Sequence, residues 1–238
     1  MFRVIWTSRD GSKLAKSQDE IEYDNPNLGY LDWQENRELI RLQAVQLASA
    51  LVMQSQKSFS PDQHGLLRGW LLNGIDLAKV SPKGKRTFEK SFQRLLKVSC
   101  DAGLNQIIAL GQEMESKSTV GQRQEIVEFC LHLICLIEPL PTTSLVTLQK
   151  IAILWQIDTS QFSIILEKVV SIDRLRDIDP MVLAGMTENM SPNQVLKQLN
   201  RAYAKWNGRI THSDKAVQRQ AEDMISWIAQ ARGRTQTS

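Results

Sequence analysis

The sequence has few cysteines and no long apolar run, which excludes two classes of protein. Its three cysteines, Cys100, Cys130 and Cys135, are an odd set in mostly apolar surroundings, as expected for reduced, buried thiols and not for a disulfide framework. The longest apolar run, residues 129–137, contains His132 and is far shorter than the roughly 18 residues of a membrane span. The first ten residues turn polar too soon for a secretory signal. We therefore expect a cytoplasmic protein with no membrane span.

Signatures of common catalytic sites are also missing. The sequence has no glycine-rich phosphate loop, no paired-cysteine motif and no Gly-x-Ser-x-Gly elbow. The basic segment 83–87 lacks the upstream glycine of a phosphate loop, and we interpret it as a solvated loop. On a helix, Cys130 and Cys135 point about 140° apart, which favours core packing over zinc binding. These absences predict a protein without a catalytic residue, metal or cofactor, which binds another macromolecule instead.

The composition is that of an ordinary globular protein. Of the 238 residues, 42% are apolar and 23% are charged, so the chain can bury a core and is not disordered as a whole. The net charge of +3 is unevenly spread, because from Ser191 onward there are eight Lys or Arg residues against three acids. That balance of +5 leaves about −2 for the first 190 residues. The C-terminal end is therefore the basic part of the chain.

The apolar residues recur with a helical period from Gln34 onward. A stripe with three- and four-residue spacing, typical of a helix that faces a core, is formed by Leu39, Leu42, Val45, Ala48 and Leu51. Further helices are predicted over residues 104–115, 122–137, 143–155 and 159–170. The segment 122–137 should be central because it is apolar on most sides. The predicted fold class is all-α, a bundle of many helices, with a short strand at residues 2–6 and no strand pair.

Capping signals and one polar stretch divide these helices into domains. Ser60 and Ser191 are each followed by proline and, two residues later, by Gln, which predicts two capping boxes. The polar stretch 171–180 interrupts the helical pattern before a short helix from Pro180. We predict an N-terminal arm over residues 1–34, a helical domain over 35–172 and a separable three-helix module over 180–234.

The helix predicted after Ser191 carries a basic stripe on one face and an apolar stripe on another. The basic stripe consists of residues spaced by four: Lys197, Arg201, Lys205 and Arg209. The apolar stripe, which should pack inward with Trp206 as its core anchor, consists of Val195, Leu199, Ala202, Tyr203, Trp206 and Ile210. The basic stripe is either a solvated face or a docking surface for an acidic partner or for phosphates.

Residues 183 to about 232 resemble a divergent J-domain of the DnaJ type. The segment 183–192 is similar to that family's first helix and turn, the basic helix ending at Trp206 to its second helix, and the segment 221–232 to its third. His212-Ser213-Asp214 stands where the family has its His-Pro-Asp loop. J-domains dock on a DnaK-type ATPase through the basic helix and this loop and stimulate it. The resemblance implies that role for the basic stripe, His212 and Asp214, and with Ser213 in place of proline it implies weak or absent stimulation.

The preceding part of the chain, about residues 35–170, is similar to the helical TerB domain of tellurite-resistance proteins. That domain also precedes the J-domain in DjlA-type co-chaperones. The similarity rests on the helix start at Phe59-Ser60-Pro61-Asp62 and on the closing segment 151–158. The stretches that correspond to the family's acidic loops contain too few carboxylates for a hard-cation site, so we predict no metal here.

These features lead to two hypotheses from different classes. The first is a non-enzymatic interaction protein, a co-chaperone or adapter, whose partner is a protein such as a DnaK-type chaperone. Its predicted binding residues are Lys197, Arg201, Lys205, Arg209, His212 and Asp214. The alternative is a nucleic-acid-binding protein that uses the same basic helix within a helix-turn-helix-like unit. An enzyme whose site the sequence does not reveal ranks third.

Overall fold

The computed structural model describes the backbone of residues 2–7, 13–19, 30–72, 81–187 and 190–236. Side chains are described for residues 36–72, 81–99, 101–187 and 190–233, so Cys100, predicted to be buried, lies outside them. Apart from one pair of strands, the described chain is all-α, as predicted. Its helices are α1 (Tyr30–Met53), α2 (Pro61–Leu72), α3 (Pro82–Cys100), α4 (Leu104–Lys117), α5 (Val120–Ile134), α6 (Thr142–Leu154), α7 (Thr159–Val169), α8 (Ile172–Leu175), α9 (Pro180–Leu183), α10 (Pro192–Asn207) and α11 (Lys215–Gln236).

The chain divides into two compact units, Met1–Arg37 and Glu38–Ser238. The first contains strands β1 (Phe2–Thr7) and β2 (Lys13–Asp19), which pair antiparallel with an irregularity between Trp6 and Thr7. The predicted strand at residues 2–6 is therefore present, whereas the expectation of no strand pair was wrong. The β2 sequence contains no β-branched or aromatic residue, so its composition gave no strand signal.

Serine side chains cap the first turns of α2 and α3 in the second unit. The Ser60 hydroxyl accepts a hydrogen bond from the Gln63 N–H (3.2 Å), and the Ser60 N–H donates to the Gln63 side chain (2.8 Å), so the predicted capping box is confirmed. The Ser81 hydroxyl likewise accepts from the Gly84 N–H (3.2 Å), with Pro82 in the first turn of α3. The segment 83–87 is thus helical and not the loop that we predicted. Pro82, just before this segment, follows the capping serine at the first helical position, where a helix begins easily.

The core is built around α5, as its apolar sequence predicted. Ile126, Val127, Cys130, Leu131 and Ile134 of this helix are buried, and α5 packs against both α6 and α7. Burial raises the pKa of the Cys130 thiol well above its ordinary value. In α1 the apolar stripe is buried only in its C-terminal part, because Leu39 and Leu42 are exposed.

Trp155 connects three helices of this core. Its indole N–H donates to the Gly111 carbonyl in α4 (2.7 Å), and its own carbonyl accepts from the Arg123 guanidinium in α5 (3.0 Å). At Gly111 a Cβ would lie 3.3 Å from the Cγ2 of Ile151, so the missing side chain lets α4 approach α6 closely. Both buried polar groups of Trp155 are therefore satisfied, which fixes the end of α6.

The polar stretch 171–180 is packed against the rest of the chain. It contains the short helix α8, and Leu175 and Ile178 are each 3% exposed. The Arg174 guanidinium donates to the carbonyls of Cys135 and Ile137, the latter at 2.7 Å. The predicted division between 172 and 180 therefore falls inside one compact unit. Whether residues 180–234 fold alone stays a prediction.

We predict that the native chain resists trypsin after Arg174. This side chain is held by two main-chain carbonyls and the next residue is buried, so a protease cannot seat the segment without local unfolding. Digestion followed by mass spectrometry should show slow cleavage here in buffer and fast cleavage in urea. Fast cleavage in buffer that leaves a stable helical fragment starting at Leu175 would instead support the separable module.

A candidate partner-binding surface on the C-terminal helices

Helices α10 and α11 form an antiparallel hairpin. The capping box predicted at Ser191 is present at the start of α10, and residues 208–214 connect the two helices. Near the other end of α11, the Arg232 guanidinium donates to the Asn200 side chain (2.7 Å) and lies 4.7 Å from the centroid of the Tyr203 ring. The late part of α11 thus lies beside the middle of α10, which requires the two helices to run in opposite directions.

The connecting loop is held by short-range hydrogen bonds. The Asp214 carboxylate accepts from the Ala216 N–H (2.7 Å) and so caps α11, where its charge also suits the helix dipole. The Asp214 N–H donates to Nδ1 of His212 (3.1 Å). The side chains of both residues and of Ser213 are exposed. The structure therefore brings His212 and Asp214 together at one end of the hairpin.

The basic stripe is divided into two halves. The Lys205 ammonium lies 2.5 Å from one carboxylate oxygen of Glu167 in α7, and the Arg209 guanidinium lies 2.8 Å from the other. The Lys205 ammonium also donates to the Ser163 hydroxyl (2.7 Å). These two cations are half-buried against the body, so the stripe is not a uniformly solvated face. Helical spacing indicates which side chains share a face but not what that face packs against.

Ser163 and Glu167 were not among the predicted site residues. They lie four residues apart on α7, so their side chains are on neighbouring turns, and they meet Lys205 near the end of α10 and Arg209 in the loop that follows it. The available signal was a hydroxyl and an acid four residues apart, but α7 also carries Thr159, Ser160, Gln161 and Lys168, so the pair did not stand out. Pairing them with α10 required knowing that α7 and α10 are neighbours.

Trp206 is the core anchor that we predicted. It is 0% exposed, and Leu199 and Ala202 are buried beside it on α10. Tyr203, which we expected to pack inward, is 37% exposed. The Arg209 guanidinium lies 4.8 Å from the Trp206 ring centroid, so the basic stripe partly covers the indole and does not lie opposite it.

Lys197 and Arg201 form the exposed half of the stripe. Within the part of the chain that the structure describes, neither forms an ion pair. Arg201 acts on Asp158, whose pKa is held below its ordinary value first by the Ser160 hydroxyl, then by the Gln161 N–H, and to a smaller extent by the Arg201 charge. Asp158 caps the start of α7, accepting from the Gln161 N–H at 2.8 Å. Its carboxylate is therefore already hydrogen-bonded to the first turn of its own helix.

A groove runs between α7 and α10. It consists of two adjoining cavities of about 520 and 420 Å³, which share Thr159, Gln198 and Arg201 in their walls. The Gln198 amide donates to the Thr159 hydroxyl (3.1 Å) and to the Ala184 carbonyl (3.0 Å), so it bridges the two walls. We call this feature the α7–α10 groove.

Gly185 lets the chain turn at one end of this groove. Its φ is +69°, a backbone conformation that residues other than glycine rarely adopt. A Cβ at this position would lie 2.6 Å from the Gln198 amide nitrogen and 2.8 Å from the Thr159 Cβ. Glycine is required both for the backbone conformation and for the close approach of Gln198.

Comparisons with known proteins leave the surface to be interpreted from its geometry. No protein-family model, curated protein or solved structure matches the chain. Among the described residues, no group of three or more His, Cys, Asp or Glu side chains is placed to hold a metal ion. None of the helices in the described ranges has an apolar stretch long enough to cross a membrane.

We predict that Trp206→Ala lowers the free energy of unfolding by on the order of 3–5 kcal/mol, because it leaves a cavity in a closed core. Tyr203→Ala, three residues away on the same helix, is the matched control and should cost much less, because Tyr203 is partly exposed. Urea denaturation followed by circular dichroism measures both. Equal losses for the two variants would mean that Trp206 is not the anchor of the hairpin.

Proposed function

We propose that the chain is a non-enzymatic interaction protein, a co-chaperone or adapter, whose α10–α11 hairpin docks a protein partner. One observation carries the proposal: a basic helix leads into an exposed loop that presents His212 and Asp214. This is the arrangement expected from the resemblance of this part of the chain to a J-domain. A DnaK-type chaperone is accordingly the first partner to test, and with Ser213 in the loop we expect weak or absent stimulation of its ATPase.

The two halves of the basic stripe contribute differently to docking. Lys197 and Arg201 are exposed and meet an approaching acidic surface first. Lys205 and Arg209 already share the carboxylate of Glu167, so a partner has to compete with that group for them. Docking that uses all four cations therefore has to break the ion pairs that Lys205 and Arg209 form with Glu167 of α7.

This division supports a protein partner over nucleic acid. Affinity for a nucleic acid grows with the number of phosphates neutralised, and only two of the four cations of the stripe are exposed. Between those cations and the body lies a partly apolar groove, which suits the side chains of a protein better than a phosphate backbone.

We predict that the double variant Lys197→Glu/Arg201→Glu weakens binding to a purified DnaK-type chaperone by about tenfold or more, a loss of roughly 1.4 kcal/mol. The fold should persist, because exposed charges contribute little to stability. Arg86→Glu/Lys90→Glu is the control, since it reverses two exposed charges at the same spacing on α3. Isothermal titration calorimetry measures all three chains. The proposal fails if wild type does not bind or if both variants bind as it does.

We also predict that Glu167→Gln tightens binding of the same chaperone several-fold, because it frees Lys205 and Arg209 from a charged competitor. The variant should lose about 1–2 kcal/mol of stability, since two half-buried charged contacts are weakened. Lys205→Glu is unsuitable as a test because it would place a second carboxylate beside Glu167. An unchanged affinity for Glu167→Gln would show that this ion-pair cluster does not restrain docking.

A further inference from the structure

Ile164 on α7 is a large apolar side chain left in solvent. It is 64% exposed and lines the smaller cavity of the α7–α10 groove together with Leu183 and Ala202. It also lines a third cavity of about 410 Å³ on the α5 side of α7. An exposed isoleucine next to an apolar slot is a ready contact for another apolar side chain, because burying both removes apolar surface from water.

The same groove is positively charged at its rim. Lys197 and Arg201 line the larger cavity, and Arg201 lines both. Asp158 in the opposite wall does not neutralise them by an ion pair, and its carboxylate is bound to the N-terminal turn of α7. The groove therefore combines an apolar slot with two available cations on successive turns of α10.

We infer that the α7–α10 groove binds an acidic peptide segment of a protein partner. An apolar side chain of that segment packs against Ile164 in the smaller cavity, and two carboxylates pair with Lys197 and Arg201. Residues four apart on a helix have Cβ atoms roughly 6 Å apart. Two acids four apart on a peptide helix, or two apart on a strand, have a matching separation.

This site extends the proposed function and depends on it only in that the partner is a protein. Ile164 lies on α7, outside the α10–α11 hairpin that resembles a J-domain. A nucleic acid offers phosphates for Lys197 and Arg201 but, apart from the methyl group of thymine, no aliphatic group for the slot at Ile164. The groove thus favours ligands that carry acidic and apolar groups together, unlike a site that binds its ligand by charge alone.

A selection of random short peptides displayed on phage, with the full chain as bait, tests the inference. We expect the enriched peptides to contain an apolar residue flanked by Asp or Glu. Synthetic versions should bind in fluorescence anisotropy, and Ile164→Asp should weaken them by about tenfold or more. Val98→Asp is the matched control, because Val98 is a β-branched residue of α3 with 61% exposure that lies outside the groove, and it should leave binding within about twofold.

Several outcomes would overturn the inference. They are a selection that enriches nothing, enriched peptides without acidic residues, and equal loss of binding in Ile164→Asp and Val98→Asp. If a labelled DNA oligonucleotide bound wild type and Ile164→Asp equally well and displaced the peptides, that result would show that Lys197 and Arg201 bind phosphates and not the carboxylates of a peptide. His212→Ala separates the two proposals, since it should weaken chaperone docking and leave peptide binding unchanged. Peptide binding without chaperone binding contradicts only the proposed docking by the hairpin.

Discussion

The hydrogen bond from the Trp155 indole to the Gly111 carbonyl determines where the C-terminal half of the chain can pack. It ends α6 at a fixed point in the core. Gln156 then takes a positive φ of 62°, and the Ile157 N–H bonds back to the Ala152 carbonyl (2.9 Å), which closes the helix. The capping residue of α7 follows immediately. Since α7 forms one wall of the groove and carries the carboxylate that holds α10, the position of the whole hairpin depends on this turn, in which Trp155 and Ile157 are buried and Gln156 is exposed.

Glu167 makes the stability of the hairpin and its binding capacity interdependent. One carboxylate pairs with two cations, Lys205 in the last turn of α10 and Arg209 just beyond the helix, which would otherwise repel each other beside the Trp206 ring. The same contact removes those cations from the exposed surface. A charged group half-buried between helices thus orients α10 while leaving only Lys197 and Arg201 to meet a partner.

Local signals predicted most of the helices and some of the site. Apolar periodicity located α4, α5, α6 and α7 to within a few residues, and the capping boxes at Ser60 and Ser191 are interactions between residues close in sequence. Contacts between distant segments were not predicted. In the polar stretch before Pro180, whose role as a domain boundary stays a prediction, Leu175 and Ile178 are buried and Arg174 donates to two carbonyls in the turn after α5. Lys205 is withdrawn from solvent by an acid in another helix, and neither contact follows from spacing.

The buried thiol of Cys130 can report transient opening of the helical core around α5. A thiol reacts with alkylating reagents as the thiolate, and burial both raises the pKa of this group and shields its sulfur from solvent. Modification of Cys130 therefore requires α5 to separate from its neighbours. The rate at which this cysteine is labelled reports how often the centre of the helical body is transiently exposed, independently of any partner.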